Sequence, residues 1–165
     1  MEEDFHQALM RRAGSLLRRR AYGRAELAEK LSRFAGPDDL RGVLDRLQEL
    51  DLLNDARYAY NLAFQRLTED GWGPLKVREA LQARKLASEL IEAALERIRQ
   101  EVGFEPILTN YLDRHCRRSG IPSDPKGIQR LFQHLRRRGF PDDQIYNVLR
   151  RNTPGQAWHR FESGE

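Results

Sequence analysis

Hydrophobic residues recur along the chain at helical spacing, and the same pattern returns after about fifty residues. The clearest set is Val77, Leu81, Leu86, Ile91 and Leu95. A second set, displaced by 54 positions, is Leu131, Leu135, Phe140, Ile145 and Leu149. A third set, with one residue fewer in its middle, is Leu27, Leu31, Leu40 and Leu44. A period of this length with helical spacing inside it is typical of tandem repeats of a small helical module.

The helix that precedes each set is repeated as well. At an offset of 50 positions, Ala8, Leu9, Ala13 and Leu17 align with Tyr58, Ala59, Ala63 and Leu67. In the third unit, similar spacing is found at Ile107, Leu108, Tyr111, Leu112 and Cys116. We therefore predict an all-α fold, an elongated, curved array of three tandem three-helix repeats over residues 1–53, 54–103 and 104–151, followed by a C-terminal tail over 152–165. Modules of this kind bury little alone and expose a long face when they stack, which favours a binding function.

Local signals mark where the helices start. Proline followed by two aspartates, at Pro37 and again at Pro141, is typical of a first helical turn. Asn54 is the predicted N-cap of the helix after it. In the tail we expect Trp158 and Phe161 to pack against the third unit, because both exposed together would form an apolar patch.

The net charge of +4 is concentrated at one end of the chain. Residues 104–165 hold eleven basic and seven acidic side chains, while the rest of the chain is balanced. A basic C-terminal third fits either a phosphate backbone or an acidic protein surface. Consecutive arginines at residues 136–138 have two interpretations, since cations near a helix C-terminus also complement the helix dipole.

Few of the residue patterns that support catalysis are found. The four histidines, His6, His115, His134 and His159, are scattered, and no second pair of metal ligands accompanies His115 and Cys116. No phosphate-binding glycine-rich loop or nucleophile motif is found either. We predict a protein that is not an enzyme and uses neither a cofactor nor a metal.

The remaining composition indicates a compartment. A single cysteine, Cys116, excludes an internal disulfide and suits a reducing environment. No apolar run approaches the roughly 20 residues that a membrane span needs. The first residues are acidic and lack the apolar core of a secretory signal. We therefore expect a cytoplasmic protein without a membrane-spanning segment.

Three stretches of the chain resemble the bacterial RecX regulators. Residues 24–31 are similar to their E-L-x-x-K-L second helix, and residues 47–59, which read LQELDLLNDARYA, resemble their gLLnDxRyA pattern. Residues 73–81 are similar to the G-x-x-x-I-x-x-x-L helix that follows. The resemblance covers about 8–100 well and continues in register over 104–151. One departure is Gly23, where the family often has a serine cap; glycine caps nearly as well.

This resemblance implies a tandem three-helix-repeat protein that binds the filament of the RecA recombinase and modulates its activity, usually by inhibition. It also implies contact with single- or double-stranded DNA, and we expect the chain to act as a monomer. The alternative that the residues leave open is a stand-alone DNA-binding protein with modules like helix-turn-helix domains. The predicted contact residues for RecA or DNA are basic residues on outward helix positions: Arg57, Lys76, Arg78, Arg136, Arg137 and Arg138.

Overall fold

The computed structural model describes residues 2–164, and within that range the chain forms ten α-helices and no strand. This confirms the predicted all-α class. The helices are α1 (Glu2–Arg19), α2 (Arg24–Leu31), α3 (Pro37–Glu49), α4 (Asp55–Thr68), α5 (Pro74–Ala83), α6 (Ser88–Glu101), α7 (Phe104–Ser119), α8 (Pro125–Arg137), α9 (Asp142–Asn152) and α10 (Gly155–Ser163). Among the described residues, none of these helices is long and apolar enough to cross a membrane.

The hydrophobic positions that define the sequence repeat are core positions. Every member of the two sets displaced by 54 residues is buried, from Val77 at 0% exposed to Leu131 at 6% exposed. The four leucines of the shorter first set are buried as well. Three helices lie within each predicted repeat. The division into three units, like the predicted elongated and curved shape, stays a prediction.

By its contacts the described chain forms two compact units. The first contains the residues up to Leu62 together with Ala80–Ala94, and the second contains Ala63–Glu79 together with the residues from Leu95 onward. In the first unit α1, α2 and α3 pack on one another. The core of these three helices is aliphatic apart from one tyrosine ring: Leu9, Ala13, Tyr22, Leu27, Leu31, Leu40, Val43, Leu44, Leu47 and Leu53.

In the second unit α9 packs on both α7 and α8, and α8 also carries the C-terminal helix α10. Trp158 of α10 is 3% exposed, and its ring lies 5.0 Å from that of Tyr146 and 5.1 Å from that of Phe161. Phe161 in turn lies 6.5 Å from Phe132 of α8. The prediction that the tail packs back onto the third predicted unit is therefore confirmed.

The helix ends follow the local signals. The Asn54 side chain caps α4, because its Oδ1 accepts a hydrogen bond from the backbone N–H of Arg57 at 2.9 Å. The turns after α5 and α8 share one backbone feature, since Lys85 (φ 59°) and Gly139 (φ 91°) both have positive φ and lie 54 positions apart.

Candidate functional site

Three of the predicted contact residues lie around one open cleft in the second unit. The cleft has a volume of about 660 Å³ and lies between the start of α5 and the turn that joins α8 to α9. Lys76 comes from α5, and Arg136 and Arg137 come from the last turn of α8. The lining residues are Leu75, Lys76, Glu79, Arg136, Arg137, Gly139, Phe140, Pro141 and Asp142. We call this the α5–α8 cleft.

Two glycines let the backbones that build this cleft approach closely. The N–H of Gly73 donates to the carbonyl of Arg138 at 2.7 Å, and the N–H of Leu75 donates to the carbonyl of Gly139 at 3.0 Å. A Cβ atom added to Gly73 would lie 2.2 Å from the backbone carbonyl of Gly139. A Cβ added to Gly139 would lie 2.5 Å from the backbone N of Lys76. Only glycine fits at both positions.

Arg138 differs from its two neighbours because its guanidinium is used inside the unit. It donates to the carbonyl of Gly71 at 3.1 Å and to that of Asp70 at 2.5 Å, and lies 4.9 Å from the centre of the Tyr111 ring. The side chain is half-buried. Arg138 thus fixes the turn before α5 against α7 and α8, while Arg136 and Arg137 are exposed.

The lining of the α5–α8 cleft combines charged side chains with an exposed apolar one. Lys76 Nζ lies 4.3 Å from the Trp72 ring centre, and Arg136 forms an ion pair of 3.3 Å with Asp142. Leu75, also in the lining, is 45% exposed. Among the described residues, the lining side chains of Lys76 and Arg137 form no ion pair, and Glu79 is the one acid of the lining besides Asp142. This arrangement suits an apolar side chain flanked by a carboxylate on a protein partner.

The other two predicted contact residues lie elsewhere. Arg78 is half-buried on α5 and does not line the α5–α8 cleft. Arg57 belongs to the first unit, where it donates to the Asp51 carboxylate at 2.6 Å and to the Asp51 carbonyl at 2.7 Å. The Arg57 guanidinium, helped by Asn54, lowers the pKa of Asp51. Arg57 therefore holds the turn before α4 in place, although half of its side chain is exposed.

The start of α4, next to Arg57, is hydrogen-bonded to the start of α2 within the first unit. Asp55 accepts a hydrogen bond from the N–H of Arg24 at 2.7 Å and so caps α2, where Gly23 offers no side-chain cap. Glu26 pairs with Arg20 at 2.6 Å. Burial acts to raise the pKa of the Glu26 carboxyl, but Arg20 and Arg84 together lower that pKa by more. The net shift is therefore downward. Asp55 and Arg84 come from distant parts of the chain, so spacing alone did not reveal their contacts with Arg24 and Glu26.

A cluster of aromatic rings in the second unit was also missed. His115 and His134 stack with ring centres 4.8 Å apart, and the Tyr111 hydroxyl lies 2.8 Å from Nε2 of His134. Burial, then His115, Arg138 and Arg137, lower the pKa of His134. The only signal in the sequence was the spacing of Tyr111 and His115, four residues apart on one helix face. Within residues 2–164 no group of three or more metal-ligating side chains gathers here or elsewhere.

Comparison with known proteins gives a consistent picture. Residues 54–95 match the family profile described as RecX, second three-helix domain. The regulatory protein RecX of Ectopseudomonas mendocina (strain ymp) is 36% identical over 147 residues, which cover 87% of this chain and 93% of that protein. The one from Pseudomonas tolaasii is 38% identical over 146 residues, covering 86% and 90%. The crystal structure of RecX from Lactobacillus salivarius superposes with a TM-score of 0.78 at 21% identity, covering 90% of this chain and 97% of that one.

Proposed function

The chain belongs to the RecX family of regulatory proteins, and we propose that it binds the RecA–DNA filament and inhibits the ATPase, recombination and co-protease activities of RecA. Through these activities it would affect DNA repair and the SOS response. The RecA partner comes from the family resemblance. The α5–α8 cleft is the observation in this chain that supports a protein partner.

The geometry of the cleft favours docking over catalysis. Its lining combines the exposed apolar side chain of Leu75 with three basic residues, Lys76, Arg136 and Arg137. Apolar centres with charged rims are typical of protein interfaces, in which rim charges orient the partner and speed its arrival. In this proposal an acidic, partly apolar surface of a RecA protomer occupies the cleft.

We further propose that inhibition comes from holding the filament in one geometry. A helical array that contacts more than one protomer stabilises an arrangement poor at nucleotide turnover, or blocks extension at a filament end. Either route acts at fewer than one copy per protomer. If the protein truncated after residue 103 inhibited as well as the full chain, contact through the third predicted repeat would be unnecessary.

The test is DNA-stimulated ATP hydrolysis by the cognate RecA, titrated with the wild type and with an Arg136→Glu/Arg137→Glu variant. Arg138 is left unchanged because it holds backbone carbonyls. We expect inhibition by the wild type below one copy per protomer. The variant should need at least about tenfold more protein for the same inhibition, because a tenfold loss of affinity corresponds to only about 1.4 kcal/mol of binding free energy.

The matched control is Arg150→Glu/Arg160→Glu, which makes the same change of net charge at exposed positions outside the α5–α8 cleft. We expect it to inhibit like the wild type. Far-ultraviolet circular dichroism on both variants separates lost contact from lost helix. Equal loss in both variants would refute the cleft as the contact, and no inhibition by a folded wild type would refute RecA regulation.

A further inference from the structure

Helices α7 and α8 each present a stripe of basic and aromatic side chains that faces a shared depression. On α7, Tyr111, Arg114, His115 and Arg118 follow the three- and four-residue spacing of one helix face, and on α8 Arg130 and His134 do the same. Two adjoining clefts, of about 470 and 300 Å³, lie along these stripes and share His115 in their walls. We call the pair of clefts the α7–α8 groove. It is distinct from the α5–α8 cleft in its lining residues.

Flat rings form the centre of the groove. The planes of His115 and His134 meet at 22°, those of Tyr111 and His115 at 21°, and those of Tyr111 and His134 at 16°. The three rings are therefore close to parallel, and all three are half-buried. The hydrogen bond between Tyr111 and His134 holds two of them in place. Parallel, partly exposed rings of this kind are suited to stacking against a nucleobase.

The basic side chains flank the rings, and several of the nearby acids are already engaged. Arg118 and Arg130 are exposed on opposite helices of the groove, and Arg114, also exposed, donates to the carbonyl of Thr68 at 3.1 Å. Asp124 in the wall caps α8 through the N–H of Gly127 at 2.8 Å. Asp70 pairs with Arg66 at 2.5 Å. Glu69 is the remaining acid of the walls. The walls hold four arginines, Arg138 included, against three acids, so their formal charge is positive.

We infer that the α7–α8 groove binds single-stranded DNA, with Arg118 and Arg130 contacting phosphates and His115 stacking on a base. Bases of a single strand are free to stack, whereas those of a duplex are not. The choice of DNA rests on the proposed function, in which the partner of this chain is a RecA–DNA filament. The groove also differs from a helix-turn-helix interface over residues 74–101, whose outward positions carry exposed Glu79, Glu89, Glu92 and Glu96.

The test is a fluorescence-anisotropy titration of a labelled oligothymidylate with the full chain, without RecA, over a series of salt concentrations. For Arg118→Glu/Arg130→Glu we expect affinity to fall at least about tenfold at low salt and the slope of log K against log salt to shrink by about 1.4, that is, two phosphate contacts. His115→Ala should weaken binding about fivefold or more, with little change of slope, because stacking is not ionic.

Matched control variants distinguish a specific effect of the groove residues from a general effect of net charge on DNA binding. Arg150→Glu/Arg160→Glu makes the same charge change at residues that line neither cleft, and His159→Ala removes an exposed imidazole elsewhere. Both should bind like the wild type. A wild type that does not bind the strand, or control variants that lose as much affinity as the groove variants, would overturn the inference.

Different results would contradict the DNA site in the groove and the proposed regulation of RecA. A groove variant that binds the strand normally but no longer binds the RecA filament would assign the groove to a protein partner and overturn the DNA site. A groove variant that loses the strand yet inhibits RecA ATPase fully would support the DNA site and show that inhibition does not need it. Circular dichroism of each variant confirms that its helices are intact.

Discussion

The backbones of Gly73 and Gly139 lie so close together in the second unit that adding one methyl group at Gly73 should destabilise the protein. In Gly73→Ala the new Cβ would lie 2.2 Å from the carbonyl carbon and oxygen of Gly139 and 2.3 Å from the backbone N of Phe140. Ordinary contact begins at 3.4 Å, so the shortfall is about 1.2 Å. The atoms met are backbone, which no side-chain rotation moves aside. The start of α5 must therefore separate from the turn after α8.

That separation has a calculable cost. It breaks two backbone hydrogen bonds, from Gly73 to Arg138 and from Leu75 to Gly139, each contributing about 1 kcal/mol net. Overpacking of the surrounding contacts adds about 1–3 kcal/mol. Alanine also lowers the conformational entropy of the unfolded chain, which stabilises the folded state by about 0.4–1 kcal/mol and offsets part of this cost. We expect a net destabilisation of about 3 kcal/mol, with partial opening of the α5–α8 cleft.

Urea unfolding followed by tryptophan fluorescence measures this cost. Both tryptophans, Trp72 and Trp158, belong to the unit that contains the contact, so the signal reports its unfolding. With a slope of about 2 kcal/mol per M, the midpoint should fall by about 1.5 M. Gly155→Ala, whose Cβ would meet nothing within 4 Å, is the control and should stay within about 0.5 kcal/mol. A Gly73→Ala protein as stable as this control would refute the close approach.

Two further predictions concern single side chains. Asn54→Ala removes the cap that accepts the Arg57 N–H and should lower the free energy of unfolding by about 1 kcal/mol, whereas Asn61→Ala, exposed within α4, should have a much smaller effect; equal effects would disprove the cap. Because the pKa of His134 is lowered in the folded state, the fold binds fewer protons there than the unfolded chain does. Its stabilising contribution is present above about pH 6.5 and is lost as the pH falls through the folded pKa. Unfolding titrations at several pH values should show a smaller acid loss in His134→Gln, and an unchanged pH profile would contradict this.

Much of the fold was predictable because the relevant forces act over short distances along the chain. The burial of Val77 and Leu131 can be predicted from the apolar residues spaced three and four positions along the helix, and both are core residues as expected. The α4 cap at Asn54 is likewise a local hydrogen bond. The candidate site was only partly predictable. Exposure of Lys76 or Arg136 to a partner depends on which distant segment lies beside it.

The arginines at the end of α8 show the limit most clearly. Arg137 and Arg138 have the same chemistry and are adjacent in sequence, yet one is exposed and the other bonds to the carbonyls of Gly71 and Asp70. Successive residues on a helix point about 100° apart, so one step decides whether a guanidinium meets solvent or backbone. Spacing cannot reveal which carbonyls lie on each side.

The sequence by itself determined the helices, their buried faces and the family of this protein, because helical periodicity and capping are local and the motifs are contiguous. The tertiary structure alone decided which charged and aromatic side chains of different helices lie next to one another. It brought Lys76 to Arg136 across the two glycines, and it stacked His115 on His134. Such pairings depend on how helices pack, and packing is set by many weak contacts summed over the whole core rather than by any one segment.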